Sequence, residues 1–433
     1  MGKVKPIDLY NQLIEHNALI VCRGTNYNGK DLSADIHRAT SFLKDYRDIV
    51  LCATNSYYWL VFYFASILTG KNIYLIDPGR EKDVLSQLIE QIKPDVTLHS
   101  DEQMSKVLNC DVSDEIQFKD GATVVFYTTG STGVPKGVVH TVDSIFSSVF
   151  AMQKTFRYED ADYYYAVVQF SHVMGHSLAM LALLYGAALV ISDGNPFPSE
   201  SQKITIMALP PAIIMLYVRI NAKVKFLASL RMLITGGAPL PESYHNLLID
   251  NGVNLFYGYG STECITTASS RSDGVRNKLY YPLDGVHICL SDEGELLMKT
   301  DFAGKSYFNG NAIVDMSGVY HTNDCAVIYD DGGFEILGRK DTMIVLGSGY
   351  KVFPEALEQK IIKLFDEIDD CVVLSELKNS SDVLALKVKV KQNSAIPDNF
   401  LSRINQKLND YEKISNLEIV DELQLVGNKK KRK

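Results

Sequence analysis

Directly after an apolar run, Ala122 to Phe126, the chain reads Tyr127-Thr128-Thr129-Gly130-Ser131-Thr132-Gly133-Val134-Pro135-Lys136-Gly137. Glycine lets the backbone turn tightly and present its N–H groups to a ligand. The threonine and serine hydroxyls add further hydrogen-bond donors. Lys136 adds a positive charge without fixed geometry, which suits a phosphate group. Together these residues predict a strand followed by a loop that binds a polyphosphate.

Two other interpretations of this loop start from the same residues. A P-loop ends in Gly-Lys-Ser/Thr at a helix N-terminus. Here Pro135 precedes the lysine and Gly137 follows it, so the spacing argues against that motif. A plain surface turn is the second interpretation, because Ser, Thr and Gly are common in turns.

The whole stretch resembles the signature loop of adenylate-forming enzymes, the superfamily of acyl-CoA synthetases, luciferases and the adenylation domains of peptide synthetases. Their pattern is Tyr-Thr-Ser/Thr-Gly-Ser/Thr-Thr-Gly-x-Pro-Lys-Gly, and further motifs of the superfamily follow here in the same order. The resemblance covers nearly the whole chain. It implies that the β- and γ-phosphates of ATP are held by this loop, through Thr128, Thr129, Gly130, Ser131, Thr132, Gly133 and Lys136.

The composition is that of a globular, acidic protein. The chain has 433 residues, of which 46% are hydrophobic and 22% charged, and this length fits two domains or more. The formal net charge of -9 argues against general nucleic-acid binding. The cysteines number 7 and include no Cys-x-x-Cys, which fits free thiols in a reducing compartment.

The sequence shows neither a signal peptide nor a membrane span. The first residues lack the apolar core of a signal peptide. The longest apolar run, Tyr57 to Leu68, is too short to cross a bilayer and reads as a buried helix. We therefore expect a cytoplasmic enzyme without a transmembrane segment.

Strands and helices alternate along much of the chain. From Ile49 to Ser100 apolar runs of strand length separate segments of helix length, and this βαβ rhythm predicts parallel sheets with helices on their faces. From Val286 the pattern changes to hairpins, with turns at Asp292-Glu293-Gly294 and Asp330-Asp331-Gly332-Gly333.

The predicted fold class is α/β. We expect a large N-terminal domain with βαβ-built, mostly parallel sheets plus a β-rich subdomain, followed by a small α+β C-terminal domain. Gly338-Arg339-Lys340-Asp341 resembles the domain junction of the superfamily, which implies an AMP-binding core over 1–339 and a small mobile domain over 340–433. By the same resemblance Asp341 is the hinge, and Gly349 lies in the loop that enters the site for the thiol step.

Two glycine-rich segments are implied to surround the adenylate. Tyr257-Gly258-Tyr259-Gly260-Ser261-Thr262-Glu263 reads on its own as a turn after a strand, but it resembles the Tyr-Gly-x-Thr-Glu motif. The resemblance implies that Tyr259 stacks on adenine, Thr262 contacts the α-phosphate and Glu263 holds Mg²⁺, a hard cation that prefers oxygen ligands. The adenine-side loop would be formed by Gly237, Ala238 and Pro239.

Two residues are implied to bind the ribose. Tyr320-His321-Thr322-Asn323-Asp324 resembles Tyr-x-Thr-Gly-Asp, so Asp324 would accept hydrogen bonds from both ribose hydroxyls, and Arg339 would also reach the ribose. Asn323 stands where glycine is usual. Asparagine tolerates left-handed backbone angles better than most residues, so we expect the turn to be kept.

His172 and Lys429 complete the implied catalytic residues. Phe170-Ser171-His172-Val173-Met174-Gly175 is similar to the Phe-His-x-x-Gly stretch that lines the acyl pocket, although a core or surface histidine is an equal alternative. His172 and His176 have a spacing that can bind zinc on a helix, but no Glu lies between them and we expect no metal there.

Lys429 with Arg432 keeps the Lys-x-x-Arg spacing of the catalytic lysine, with Lys430 and a solvated basic tail as alternatives.

The resemblance implies two chemical steps. ATP with Mg²⁺ converts a carboxylic acid to acyl-AMP and pyrophosphate, and a thiol then displaces AMP. The thiol belongs to coenzyme A or to the phosphopantetheine of a carrier protein. Ser171 stands where peptide synthetases place an Asp for the amino group, so we expect a fatty or aryl acid rather than an α-amino acid. A stand-alone enzyme that loads a carrier protein, and a non-catalytic nucleotide-binding homologue, are the alternatives.

Overall fold

The structure, a computed structural model, describes most of the chain. The described residues are 3–108, 115–128, 135–272, 279–346, 350–378, 381–391, 394, 396–423, 425–426 and 429–430. Their helices are α1 Pro6–Glu15, α2 Gly29–Phe42, α3 Tyr57–Leu68, α4 Lys82–Ile92, α5 Asp101–Val107, α6 Val142–Phe156, α7 Val173–Leu184, α8 Pro211–Arg219, α9 Asn221–Ser229, α10 Glu242–Asp250, α11 Pro354–Leu364 and α12 Phe400–Lys407, with a 3₁₀ turn at Asp410–Glu412.

The strands fall into large and small sheets. They are β1 Ile20–Cys22, β2 Thr25–Tyr27, β3 Asp48–Leu51, β4 Asn72–Leu75, β5 Val96–Leu98, β6 Thr123–Tyr127, β7 Gly137–Thr141, β8 Tyr163–Ala166, β9 Ala188–Ile191, β10 Ile206–Ala208, β11 Met232–Gly236, β12 Leu255–Ser261, β13 Ile265–Ser272, β14 Tyr281–Pro282, β15 Val286–Leu290, β16 Glu295–Thr300, β17 Ser306–Tyr307, β18 Tyr320–Ile328, β19 Phe334–Arg339, β20 Ile344–Val345, β21 Lys351–Val352, β22 Ile368–Lys378, β23 Ser381–Val390, β24 Ile414–Ile419, β25 Leu425–Val426 and β26 Lys429–Lys430.

The chain divides into two compact units. The first comprises Met1–Leu240, Leu247–His287 and Lys299–Tyr320. The second comprises Pro241–Asn246, Ile288–Met298 and His321–Lys433. The second unit therefore includes the segment predicted as the small domain and most of the hairpins before it. The boundary between residues 339 and 340 stays a prediction.

The first unit contains a six-stranded sheet among its described residues, in the order β17-β7-β6-β4-β3-β5. Strands β6, β4, β3 and β5 are parallel, whereas β7 and β17 pair antiparallel at one edge. The carboxyl ends of β4 and β6 are neighbours. This brings the segment after β4, Asp77 to Arg80, beside Tyr127 and Thr128 at the start of the signature loop.

A nine-stranded sheet, again counted over the described residues, has the order β14-β13-β12-β11-β10-β8-β9-β1-β2. Strands β12, β11, β10, β8, β9 and β1 run parallel, with antiparallel strands at both edges. The α/β fold class with large, mostly parallel sheets is therefore confirmed. Strands β11 and β12 end beside each other, since Gly236 pairs with Gly258.

Helix α3 forms part of the core of the first unit. All of its residues except Tyr58 are buried, which confirms the buried helix expected from its apolar run. Its Tyr63 ring lies 4.7 Å from the His176 ring of α7. The same His176 ring lies 5.1 Å from Phe126 of β6. His176 therefore packs between α3 and β6 in a cluster of aromatic rings. None of the helices in the described ranges is long and apolar enough to cross a membrane.

The second unit has smaller sheets. The four-stranded sheet among the described residues has the order β15-β16-β18-β19, and β18 pairs antiparallel with β19. Both hairpin turns predicted from the sequence are confirmed by these strand limits. A separate hydrophobic core lies between α11, α12 and the strands β22, β23 and β24. Ile361 and Ile404 are fully buried in it.

The buried imidazoles generate a prediction of acid sensitivity. Burial lowers the pKa of His176 to about 3 and that of His140 to about 4, whereas an exposed histidine titrates near 6.5. The unfolded chain therefore binds more protons than the folded chain below pH 6.5. The contribution of the two histidines to the free energy of unfolding is fully present above pH 6.5. It falls as the pH decreases toward the folded pKa values, by about 1.4 kcal/mol per pH unit for each histidine.

We expect His176→Leu to remove about half of this dependence. Urea unfolding of the wild type and the variant between pH 5 and pH 7 measures it. Leucine has no titrating group and leaves no ring nitrogen without a partner, so the variant should retain most of its stability at pH 7. Equal slopes of unfolding free energy against pH in the two proteins would contradict the assignment of a neutral, buried His176.

Candidate active site

The two ends of the signature loop are held together. The backbone N–H of Thr128 donates to the carbonyl of Lys136 over 3.0 Å, and the N–H of Lys136 donates to Thr128 Oγ1 over 3.1 Å. Arg80 donates to the carbonyls of Tyr127 and Thr128, at 3.2 and 3.1 Å. The middle of the loop, which carries the predicted ligands Thr129, Gly130, Ser131, Thr132 and Gly133, lies outside the described residues.

Thr262 and Glu263 lie in a tight turn between β12 and β13. The strands pair as far as Ser261 with Ile265, and the register shifts between Tyr259 and Gly260. A β-carbon on Gly260 would lie 1.8 Å from the carbonyl oxygen of Ile265. Ile265 itself has a φ of 59°, a left-handed angle that β-branched residues rarely adopt. The motif needs glycine here because the two backbones touch.

The lysine of the signature loop and the glutamate of this turn contact the same side chain, Tyr307. Its hydroxyl donates to Glu263 Oε1 over 3.1 Å. The Lys136 ammonium lies 5.8 Å from the centre of its ring. A cavity of about 400 Å³ opens beside Lys136 and Tyr307. The structure thus brings together a cation suited to phosphate and a carboxylate suited to a metal ion.

His140 supports the backbone of the same turn. It is fully buried on β7, and its Nε2 lies 2.8 Å from the carbonyl oxygen of Thr262. Burial lowers the pKa of His140 to about 4, so the ring is neutral near pH 7 and its Nε2–H is the donor to this carbonyl. On the other side of the turn, the N–H of Gly304 donates to the carbonyl of Glu263 over 2.7 Å.

The residues predicted to surround adenine lie at the ends of β11 and β12. Gly237 has a φ of 79°, and Gly237, Ala238 and Pro239 are exposed. The Tyr259 ring lies 5.4 Å from the ring of Tyr280. A partly open cavity of about 90 Å³ has Gly237 and Tyr259 in its lining. The small residues of the loop and an aromatic ring therefore border one space in the first unit.

His172 immediately precedes α7, in the first unit. Its Nε2 lies 3.4 Å from Asp77 Oδ2, and both side chains are partly exposed. The hydrogen bond from His172 is the main cause that lowers the pKa of the Asp77 carboxyl, with further contributions from the N–H of Gly79 and the charge of Arg80. Helix α7 starts at Val173 and includes Gly175. Within the described residues no cluster of three or more metal-binding side chains occurs.

The residues predicted to bind ribose are neighbours in the second unit. Asp324 pairs with Arg339 across β18 and β19, and Arg339 donates to Asp324 Oδ1 over 3.3 Å. Arg339 also donates to Asp341 Oδ1, the predicted hinge residue, over 3.2 Å. Burial opposes the charge of Arg339, but the two carboxylates raise its pKa overall. Asn323 has a φ of 58°, so asparagine does replace glycine in a left-handed turn.

Two predicted residues of the second unit have little described structure. Gly349 lies outside the described residues. The backbone of Lys429 belongs to β26 and pairs with Val426 of β25. Their roles stay predictions.

Sequence reasoning missed four residues that support this site: Tyr307, His140, Arg80 and Asp77. None belongs to a glycine-rich or charged motif. Arg80 was the most accessible to prediction, because it follows the turn Pro78-Gly79 at the carboxyl end of a predicted strand. Tyr307 lies in a strand of two residues, which is too short for any periodic signal.

The comparison with known families agrees with this geometry. The profile of the family described as AMP-binding enzyme matches residues 11–315. The chain belongs to the AMP-binding enzyme family. This membership confirms the resemblance to adenylate-forming enzymes stated from the motifs.

Relatives of this AMP-binding chain include named CoA ligases. It is 25% identical over 357 residues to 2-succinylbenzoate–CoA ligase of Haemophilus influenzae, covering 80% of this chain and 77% of the relative. It is 27% identical over 320 residues to malonate–CoA ligase of Arabidopsis thaliana, covering 65% of this chain and 52% of the relative. The aligned part therefore spans about half the length of the Arabidopsis protein.

Solved structures with the same fold span nearly the whole chain. ATP-bound MatB from Rhodopseudomonas palustris has a TM-score of 0.86 at 19% identity, covering 97% of this chain and 96% of that one. The o-succinylbenzoate CoA synthetase of Bacillus subtilis, in complex with an acyl-adenylate intermediate, has a TM-score of 0.81 at 17% identity, covering 99% and 97%. These similarities show the shared fold.

The tight turn before Glu263 gives a second prediction. Gly260→Ala places a β-carbon against the Ile265 carbonyl, so the backbone of the turn must move, and we expect a loss of about 2 kcal/mol or more in unfolding free energy. Urea unfolding measures it. Gly258→Ala on the same strand is the matched control, because its β-carbon has no neighbour closer than 3.9 Å. Equal midpoints for the two variants would contradict the close approach.

Proposed function

We propose that this chain is an AMP-forming acid–thiol ligase that makes an acyl-CoA. A carboxylate oxygen of the substrate attacks the α-phosphorus of ATP, the bond to the β-phosphate breaks, and pyrophosphate leaves. The sulfur of coenzyme A then attacks the acyl carbon of acyl-AMP, AMP leaves, and the thiol proton passes to solvent. The contact of Lys136 and Glu263 with one tyrosine, in a member of the AMP-binding family, is the observation that carries this proposal.

Residues of the first unit would bind the phosphates and the adenine of ATP. Lys136 and the signature loop hold the β- and γ-phosphates, Thr262 contacts the α-phosphate, and Tyr259 with the Gly237 loop holds adenine. Positive charge and N–H groups stabilise the charge that develops on the phosphates, which is the main catalytic requirement in phosphoryl chemistry.

Three further residues have roles that the resemblance to the superfamily implies. Asp324 and Arg339 would bind the ribose, and Lys429 would bring the carboxylate and the α-phosphate together. After adenylation the segment beyond Asp341 rotates, so that the loop of Gly349 replaces Lys429 for the thiol step. The domains 1–339 and 340–433 are the bodies of this proposed motion.

The residues of the turn fit a magnesium ion. Mg²⁺ is bound through one or two carboxylates together with substrate phosphates, and it keeps several waters. Glu263 offers one partly exposed carboxylate, and the Tyr307 hydroxyl donates to one of its oxygens. Glu263 would hold the ion, which supplies positive charge to the phosphates of ATP.

The acid would be a fatty or aryl acid. Ser171 is buried and offers no charge to an α-amino group, whose burial without a partner is costly.

Coenzyme A is the proposed acceptor because the named relatives are CoA ligases. A carrier-protein phosphopantetheine is the second candidate, supported only by the wider superfamily. We propose a cytoplasmic location, which the free thiols among the described cysteines would fit.

ATP–pyrophosphate exchange with a panel of fatty, aryl and amino acids tests the proposal. We expect Mg²⁺-dependent exchange with the wild type and a loss of about 100-fold in Lys136→Met, because one positive contact to the phosphates is removed. Lys203→Met is the matched control, since the Lys203 ammonium also lies over a tyrosine ring, that of Tyr163 at 4.5 Å. ATP binding without exchange for any acid would favour a non-catalytic homologue and overturn the proposal.

A further inference from the structure

The cavity beside Gly237 and Tyr259 has an apolar wall. It holds about 90 Å³ and lies within the first unit. Helices α6 and α7 and strand β11 supply that wall through Met152, Phe156, Val173, Met174, Leu178 and Ile234. Gly237 and Tyr259, which are proposed to hold adenine, also line it. The acyl group of an acyl-AMP bound there would extend toward the apolar wall.

The described residues of the lining include no charged side chain. Their polar side chains are the hydroxyls of Tyr259 and Thr266. A second carboxylate on the substrate would therefore lose its hydration without meeting a cation, which strongly disfavours binding. The named acids of the two relatives, 2-succinylbenzoate and malonate, each carry two carboxyl groups.

The apolar lining decides the substrate class. We propose that this cavity selects apolar monocarboxylic acids and rejects dicarboxylic acids. The inference rests on the proposed function and names the substrate class of the same site.

Butanoate and succinate form a matched pair of probes, because they share a chain length and differ by the second carboxylate. In ATP–pyrophosphate exchange we expect kcat/KM for butanoate to exceed that for succinate by at least about 100-fold. Equal values, or a preference for succinate or malonate, would overturn the inference while leaving the ligase function intact. Absence of exchange with every acid would instead count against the ligase function, and with it the inference.

Tyr307 supports a second, independent inference. Its hydroxyl contacts Glu263 and its ring faces the Lys136 ammonium. Its backbone is fixed by pairing with Val138 of β7 and by an N–H bond to the carbonyl of Asn311 over 2.9 Å. The side chain is therefore anchored independently of the two groups it touches.

The two contacts of Tyr307 are both attractive. Its hydroxyl donates to the Glu263 carboxylate, and the Lys136 ammonium is attracted to the face of its ring. We infer that Tyr307 is a positioning residue, which sets the separation between the carboxylate proposed for the metal ion and the lysine proposed for the phosphates.

Tyr307→Phe tests this, because it removes the hydroxyl and keeps the ring. We expect the Mg²⁺ concentration for half-maximal exchange to rise about 10-fold, the size of one hydrogen bond to a charged group, with little change in unfolding free energy. Tyr329→Phe is the matched control: the Tyr329 hydroxyl donates to Glu335 over the same 3.1 Å on an exposed hairpin. This inference also rests on the proposed function, which wild-type exchange checks separately.

Two results would overturn the role of Tyr307. One is an unchanged Mg²⁺ dependence in Tyr307→Phe alongside normal wild-type exchange. The other is a loss of exchange that follows a loss of stability at every Mg²⁺ concentration, since a purely structural tyrosine would behave in that way.

Discussion

The pairing of β17 with β7 at the edge of the six-stranded sheet is the contact on which the arrangement of charge in the site depends. The N–H of Phe308 donates to the carbonyl of Gly137 over 2.7 Å. A β-carbon on Gly137 would lie 2.9 Å from Val125 Cγ1 and 3.0 Å from Phe308 Cβ. The glycine that follows Lys136 in the signature stretch is therefore required by packing. Without that close approach Tyr307 would not reach both Lys136 and Glu263.

Much of the fold could be predicted because it follows from local pattern. Apolar runs separated by helical segments indicated parallel sheets, and Asp-Gly turns indicated the two hairpins. The left-handed angle of Asn323 was also predictable, since it depends on the conformational freedom of one residue. The order of the glycine-rich motifs along the chain indicated the family, and the match of the family profile to residues 11–315 confirms it.

The supporting contacts could not be predicted in the same way. His140 and Thr262 are 122 residues apart in the chain, and Tyr307 reaches Glu263 from 44 residues away. Such pairs join residues of the six-stranded sheet to turns of the nine-stranded sheet. A single sequence carries no signal for how two sheets pack against each other. The partner of His172, Asp77, was missed for the same reason, since Asp77 follows β4 of one sheet and His172 follows β8 of the other.

Trp59 gives the molecule an intrinsic optical probe. It is the single tryptophan of the sequence and is fully buried on α3. Its indole stacks 5.3 Å from the Tyr63 ring and lies 6.3 Å from the His176 imidazole. All tryptophan emission therefore comes from one dry site in the core of the first unit. The wavelength and intensity of this emission report the packing of the first unit. Unfolding of the second unit alone should leave the emission unchanged, so it has to be followed by a different measurement.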